Sequence, residues 1–285
     1  MIEKPSNNRS RLDWHATEHN GNNFTVVLPV YYAKLFSCIY PNIVDESVNG
    51  WKFSKSGKTK IISFNRIDSD SKDIIEDFII SFKQYILINL NKNIFELFSD
   101  ELDYCIALDF TYEKGLSGNK HTPTGHFVYR AKNCQDDLAI DTLSTNLFSA
   151  FGLYPKPEGF EQAAFTSIPT YNKKYDLPSI LCEKVIEKLN SKGLIRASLL
   201  ESKLICKKPE YKNLSFEKKV QVWDELYNSG CVELSTSIKD SDVFIIDDIY
   251  QSGITIWSYA RFLLSQGAKR VFGLVCEKTW KDDAN

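Results

Sequence analysis

No stretch of this sequence is apolar for long enough to span a bilayer comfortably. The nearest approach, Phe24 to Tyr40, is interrupted by Pro29 and Lys34. The opening segment, Met1 to Arg11, lacks the apolar centre of a secretory leader. The expectation is a soluble, cytoplasmic protein with no membrane partner. An excess of one charge is also missing: 35 basic and 37 acidic side chains leave a net charge of -2. That balance gives no general pull toward nucleic acid or an anionic surface. No basic stripe is present either, so nucleic acid is not indicated as a partner, although it stays an open alternative. Closely paired cysteines are absent. The seven cysteines, Cys38, Cys105, Cys134, Cys182, Cys206, Cys231 and Cys276, lie far apart with no C-x-x-C among them, which argues against a zinc ribbon. An odd, scattered set reads as reduced thiols, mostly small core residues. His15 and His19 stand four apart without a third ligand and read as surface residues, so no direct metal site is expected. Internal repeats and low-complexity segments are lacking too.

What remains is an ordinary globular composition. A chain of 285 residues, 43% apolar, suffices for one large domain or two modest ones. Residues Met1 to Asn23 are polar and turn-rich, and read as a loose arm or irregular surface. Trp51 to Phe64 reads as a hairpin about Ser56-Gly57. Ile74, Ile75, Phe78, Ile79, Phe82, Tyr85 and Ile86 recur at helical spacing and predict a helix over Ser71 to Asn89. Tyr104 to Phe110 is a candidate buried strand, and Gly115 to Gly125 a loop.

Further on the rhythm changes. Phe127 to Tyr129 reads as a short strand. Asp136 and Asp137 charge the start of a helix with Ile140, Leu143 and Leu147 on its apolar face. Leu153 to Gly159 reads as a linker. Ala163 to Ile168 is a strand and Pro178 to Leu189 a helix. Val243 to Ile246 is a fully buried strand, Ile256 to Gln266 a helix closed by Gly267, and Val271 to Cys276 the next strand. Alternation of this kind is an α/β pattern with a parallel sheet. The division expected is an N-terminal α+β extension over 1–115 and an α/β domain over 116–285.

The chemistry concentrates in Val243 to Thr255. A buried strand ends in two adjacent carboxylates, Asp247 and Asp248. A short polar turn follows, Gln251-Ser252-Gly253-Ile254-Thr255, and a helix begins at once. Backbone N–H groups, a helix N-terminus and two hydroxyls thus converge at the carboxyl end of a parallel strand, a natural phosphate site. That edge of an open α/β sheet is where ligands usually bind. The acidic pair is placed to accept hydrogen bonds from sugar hydroxyls, so a monophosphate on a ribose fits both halves. Against this stands an ordinary strand and turn with an acidic pair facing solvent.

The string D-D-I-Y-Q-S-G-I-T, 247–255, resembles the signature of type I phosphoribosyltransferases, and Gly267-Ala268-Lys269-Arg270-Val271 resembles the family's passage into the next strand. The resemblance covers the last 125 or so residues well and the segment from about 120 faintly; the first hundred match no named family. It implies that Asp247 and Asp248 hold the ribose 2′- and 3′-hydroxyls, and that Gln251, Ser252, Gly253, Ile254 and Thr255 bind the 5′-phosphate. Ser252 stands where threonine is commoner, and Ile254 is bulkier than usual. The resemblance also implies a type I phosphoribosyltransferase-like core with a mainly parallel sheet flanked by helices. A pyrophosphate loop would lie at Thr170, Tyr171, Asn172, Lys173 and Lys174, with Mg²⁺ bridging the pyrophosphate oxygens. The alternative for Lys173 and Lys174 is a solvated pair of loop charges. The ComF-like subgroup has a similar strand, proline and basic loop, but its R-G-x-N-Q run is missing. A lid is implied over Ile205 to Tyr227, carrying Lys207, Lys208, Tyr211 and Lys212; a charged surface helix is the equal alternative. His126 and Lys132 read as structural.

Two functions follow. The first is a Mg²⁺-dependent phosphoribosyltransferase acting on phosphoribosyl pyrophosphate and a nitrogen acceptor, a nucleobase by preference, as in nucleotide metabolism. The second is a non-catalytic or altered phosphoribosyl-pyrophosphate-binding module: a regulator, a competence-type protein or a microbial antiviral defence effector. Both leave open a homo-oligomer or a protein partner.

Overall fold

A computed structural model describes residues 12, 15–20, 23–88, 102, 104–113, 120–154, 160–208 and 214–279. The chain divides into two compact units: 9–89 with 153–158, and 1–8 with 90–152 and 159–285.

In the first unit, strands β1 (Ala16–Asn20) and β2 (Asn23–Pro29) lead into helices α1 (Val30–Ile39) and α2 (Pro41–Asp45). Strands β3 (Lys52–Phe53) and β4 (Thr59–Phe64) follow, then α3 (Ser69–Gln84) and β5 (Ile86–Ile88). An antiparallel sheet runs in the order β1-β2-β4-β3. The polar arm expected over 1–23 therefore contains a strand. Its side chains gave no apolar alternation, but pairing such as Ala16 with Val27 uses backbone groups that any sequence supplies. The hairpin about Ser56-Gly57 is present, with Gly57 in the left-handed region at φ 69°. The α3 helix is capped by Asp68, whose side chain accepts from Ser71 N at 2.8 Å, and buries Ile75, Phe78, Ile79 and Phe82. It ends five residues short of the expected Asn89. Tyr85 turns extended, and Ile86–Ile88 are buried as a strand, because Tyr85 and Ile86 only mimic helical spacing.

The second unit begins with β6 (Cys105–Phe110), α4 (Pro123–Cys134) and α5 (Asp137–Phe151). Next come β7 (Gln162–Ser167), α6 (Leu177–Ser191), β8 (Arg196–Leu199) and β9 (Ser202–Leu204). The unit closes with α7 (Phe216–Asn228), β10 (Val232–Leu234), β11 (Asp242–Tyr250), α8 (Ile254–Ser265) and β12 (Arg270–Lys278). Strands β6, β12, β11, β7 and β8 lie side by side in that order, every one of these pairings parallel. The α/β class read from the sequence is thus what the chain forms. One face of the sheet meets α5: the Phe244 ring lies 5.0 Å from Phe151 and 4.8 Å from Phe272. The other face meets α8, where Ile256 reaches to 3.0 Å from the place of a Cβ on Gly273. Burial on both faces explains why β11 and β12 read as continuous apolar runs. At the entry of β11, Asp242 accepts two hydrogen bonds from Arg270, its register partner on β12, at 2.8 and 2.7 Å.

Three local expectations need correction. The strand expected at Phe127 to Tyr129 is the middle of α4. The run Thr122-Pro123 is a helix start: the Thr122 hydroxyl accepts from Gly125 N at 3.0 Å, and Pro123 occupies the first turn. Gly125 is therefore a helix residue, packed where a Cβ would sit 2.3 Å from the Thr111 carbonyl oxygen. Nor are all the thiols free, since Cys206 and Cys231 form a disulfide. Their separation of 25 residues hid the pair; the β9–β10 pairing brings them together, with Ile205 N donating to Cys231 O at 2.9 Å. Closing a loop of that length is worth about 3 kcal/mol in the chain-entropy account. Urea unfolding with and without a dithiol reductant should show a loss of about 2–4 kcal/mol on reduction, and the Cys206→Ser/Cys231→Ser protein should be insensitive to it. Among the described residues, no helix is long and apolar enough to cross a membrane.

Candidate functional site

The carboxyl end of β11 opens into a pocket of about 370 Å³. That is within the usual range for a small-molecule site. Asp247 and Asp248 still belong to the strand, which runs on to Tyr250. The turn Gln251–Gly253 then delivers the chain into α8. Gly253 is the N-cap residue, at φ 81°, and no side chain caps the helix. The first N–H groups of α8 therefore look into the pocket without an intrahelical acceptor. The turn is braced from beneath, as Trp257 Nε1 donates to Tyr250 Oη at 2.9 Å. Ser252 and Thr255 line the same place.

Of the residues expected to act together, Asp247, Asp248, Gln251, Ser252, Gly253, Ile254 and Thr255 line this one pocket. Thr170, Lys173 and Lys208 line it as well. Tyr171, Asn172, Lys174 and Lys207 do not; Tyr171 and Lys174 are exposed, and Asn172 makes the turn with φ 46°. Tyr211 and Lys212 lie outside the described residues. Lys173 is tied to Asp176 at 2.8 Å, and Asp176 also accepts from Ser179 Oγ at 2.6 Å. Lys208 sits 4.3 Å above the Trp223 ring. The later part of the segment read as a lid or a charged surface helix forms α7, which packs on α8.

Lys132, Asp176, Lys219 and Trp223 also line the pocket, although the sequence did not assign them to it. Lys132 matters most, because its Nζ lies 2.6 Å from Asp248 Oδ2. Its signal was the helix start at Thr122-Pro123, which puts Lys132 in the last turn of α4. Lys219 is a buried lysine on α7 and Trp223, one turn on, is buried beside it.

The acidic pair is electrostatically crowded. Burial, and then the adjacent Asp248, push the Asp247 carboxyl well above the usual carboxylate range. The Asp248 N–H opposes this by donating to Asp247 Oδ1 at 2.8 Å. Glu277, on β12, is pushed up to about 8 by burial, with Asp248 adding to the push and the Thr111 hydroxyl opposing it. At Lys132 burial works to lower the ammonium's value, but Asp248, Asp247 and Glu277 together raise it above the ordinary one. One cation thus serves three carboxylates.

No protein-family profile matches the chain, and no curated protein does. Its neighbours among solved structures are phosphoribosyltransferases. They include a hypoxanthine phosphoribosyltransferase from Staphylococcus aureus (16% identity, TM-score 0.28) and a hypoxanthine-guanine phosphoribosyltransferase from Bacillus anthracis (13%, 0.31). A third is the hypoxanthine-guanine enzyme from Leishmania tarentolae in complex with GMP (13%, 0.28). Each match covers 48% of this chain, and the chain spans 58%, 66% and 62% of the three proteins respectively. The ligand is therefore read from the pocket's own residues.

Proposed function

We propose that this pocket binds phosphoribosyl pyrophosphate and that the protein is a phosphoribosyltransferase of the type I kind, passing phosphoribose to a nitrogen acceptor such as a nucleobase. The observation that carries the reading is the convergence, in one pocket, of an uncapped helix N-terminus with two adjacent carboxylates. In this reading the N–H groups of α8, with Ser252 and Thr255, hold the 5′-phosphate. Asp247 and Asp248 accept from the ribose hydroxyls. Thr170 and Lys173 face the pyrophosphate from one side, Lys208 and Lys219 from another.

Among the described residues no cluster of three His, Cys, Asp or Glu side chains assembles that could hold a metal. A Mg²⁺ carried in with the ligand would meet the carboxylates of Asp176, Asp247 and Asp248 at the pocket wall. When bound, it would neutralise charge on the leaving pyrophosphate. In the transfer, a nitrogen lone pair forms a bond to C1 as the C1–O bond to pyrophosphate breaks. The carboxylates stabilise positive charge developing on the sugar, and the lysines stabilise negative charge on the leaving group.

The test is to incubate the full chain with phosphoribosyl pyrophosphate, Mg²⁺ and each nucleobase in turn, and to measure pyrophosphate release. Release that depends on one base supports the transferase. Saturable binding without release with any base leaves a binding module. No binding rejects the reading.

A further inference from the structure

We propose that Lys132, at the end of α4 and outside the recognisable motif, is the positioning residue that holds Asp248 as a charged acceptor for the ligand's hydroxyls. The inference rests on the ribose-phosphate reading of the pocket and deepens it.

The geometry singles Lys132 out. Side chains alternate along β11, and Asp248 shares the parity of Phe244, which faces α5; α4, the helix that carries Lys132, packs on α5. The Asp248 side chain is 7% exposed and meets Lys132 Nζ at 2.6 Å. The charged groups around this point come from every neighbouring element. Asp247 and Asp248 stand on β11, Glu277 and Lys278 on β12, and Asp109 on β6. Asp176 approaches from the start of α6. Lys278 points elsewhere: its Nζ donates to the Thr279 carbonyl and lies 5.6 Å from the Tyr250 ring centre. Lys132 is the cation that both the contact and the field assign to the acidic pair. Three neighbouring carboxylates with little water cannot all stay ionised unless a cation compensates them. Asp247 and Glu277 already yield in that contest, as their raised values record. With Lys132 present, Asp248 is the carboxylate that keeps a direct charge partner. Without it, Asp247 and Glu277 lose the positive charge that holds them down and rise further, and a protonated carboxyl in the cluster donates where it should accept.

Lys132 is half-exposed, so Lys132→Met should fold. The experiment is calorimetry of ribose 5-phosphate binding between pH 6 and pH 9 on the wild type, Lys132→Met and Lys132→Arg. The expected result is at least a tenfold loss of affinity at pH 7 for Lys132→Met, largely recovered by pH 9, with Lys132→Arg close to wild type. The pH midpoint of binding is displaced upward only in Lys132→Met. Affinity unchanged by Lys132→Met overturns the inference and leaves the pocket reading intact. A loss of the same size at every pH also overturns it, because Lys132 is then a direct anion contact or a support of the fold. Absence of binding by the wild type at any pH overturns the pocket reading, and this inference with it.

Discussion

Calorimetry with phosphoribosyl pyrophosphate and Mg²⁺ should show binding by the wild type and none measurable by Asp247→Asn/Asp248→Asn. A hydrogen bond to a charged acceptor is worth about 1.5–3 kcal/mol and one to a neutral acceptor about 0.5–1.5 kcal/mol, so losing one of each weakens binding by roughly thirtyfold to a thousandfold or more. The same substitutions should leave the fold intact or stabilise it. They relieve a pair of adjacent carboxylates, one of which is driven well above its ordinary range by burial. Loss of binding with an unchanged or higher melting temperature is the expected signature; loss with a collapsed melting temperature would make the pair structural. The wild type adds a pH dependence whose sign follows from Asp247. Its carboxyl is raised in the folded state, so its contribution to stability is fully present at low pH and fades as pH rises through that raised value. Ligand affinity should move the other way, rising over the same window as the carboxylate forms. Heat denaturation and calorimetry run over one pH series will show whether the trends oppose each other.

The second large effect is expected from Gly253→Ala. The residue has φ 81°, where an added Cβ costs about 1–2 kcal/mol by itself. Here it would also lie 2.1 Å from Tyr250 Oη and 2.8 Å from Trp257 Nε1, the two atoms whose hydrogen bond braces the turn. Both belong to buried side chains, so they cannot swing into solvent. We expect a total loss of about 2–4 kcal/mol in urea unfolding, together with loss of ribose 5-phosphate binding as the first N–H groups of α8 are turned aside. Ser252→Ala is the comparison: it removes one hydroxyl without moving the backbone and should cost binding about tenfold at most with no change in stability. Equal effects from the two would mean that the cradle depends on hydroxyls rather than on backbone shape.

The part of the site that was legible in the sequence is the part built from one continuous segment. Val243 to Thr255 supplies the strand, both carboxylates and the helix start in order, and their local rules agree with one another. Residues that reach the pocket from elsewhere were not legible to the same degree. Lys132 was hidden because Phe127-Val128-Tyr129 is a run of β-prone residues, although Thr122-Pro123 upstream caps a helix. Lys219 and Trp223 belong to a helix whose periodicity was plain, but periodicity does not say which neighbour a face meets. The disulfide depended on β9 pairing with β10, two strands of three residues each, too short to announce themselves. The same limit held for β1, whose residues Ala16–Asn20 show no apolar alternation yet pair in register with β2.

The doubly hydrogen-bonded pair of Asp242 and Arg270 has a consequence at the far end of the same strand. Because the two are register partners, their ion pair acts as an indexing pin between β11 and β12. A slip of one residue would exchange the faces of every side chain along β11. Asp248 would swing away from Lys132, and Asp247 or Ile249, according to the direction of the slip, would take its place. Which carboxylate is given a counter-ion is thus set five residues before the acidic pair begins, by two side chains outside the pocket lining.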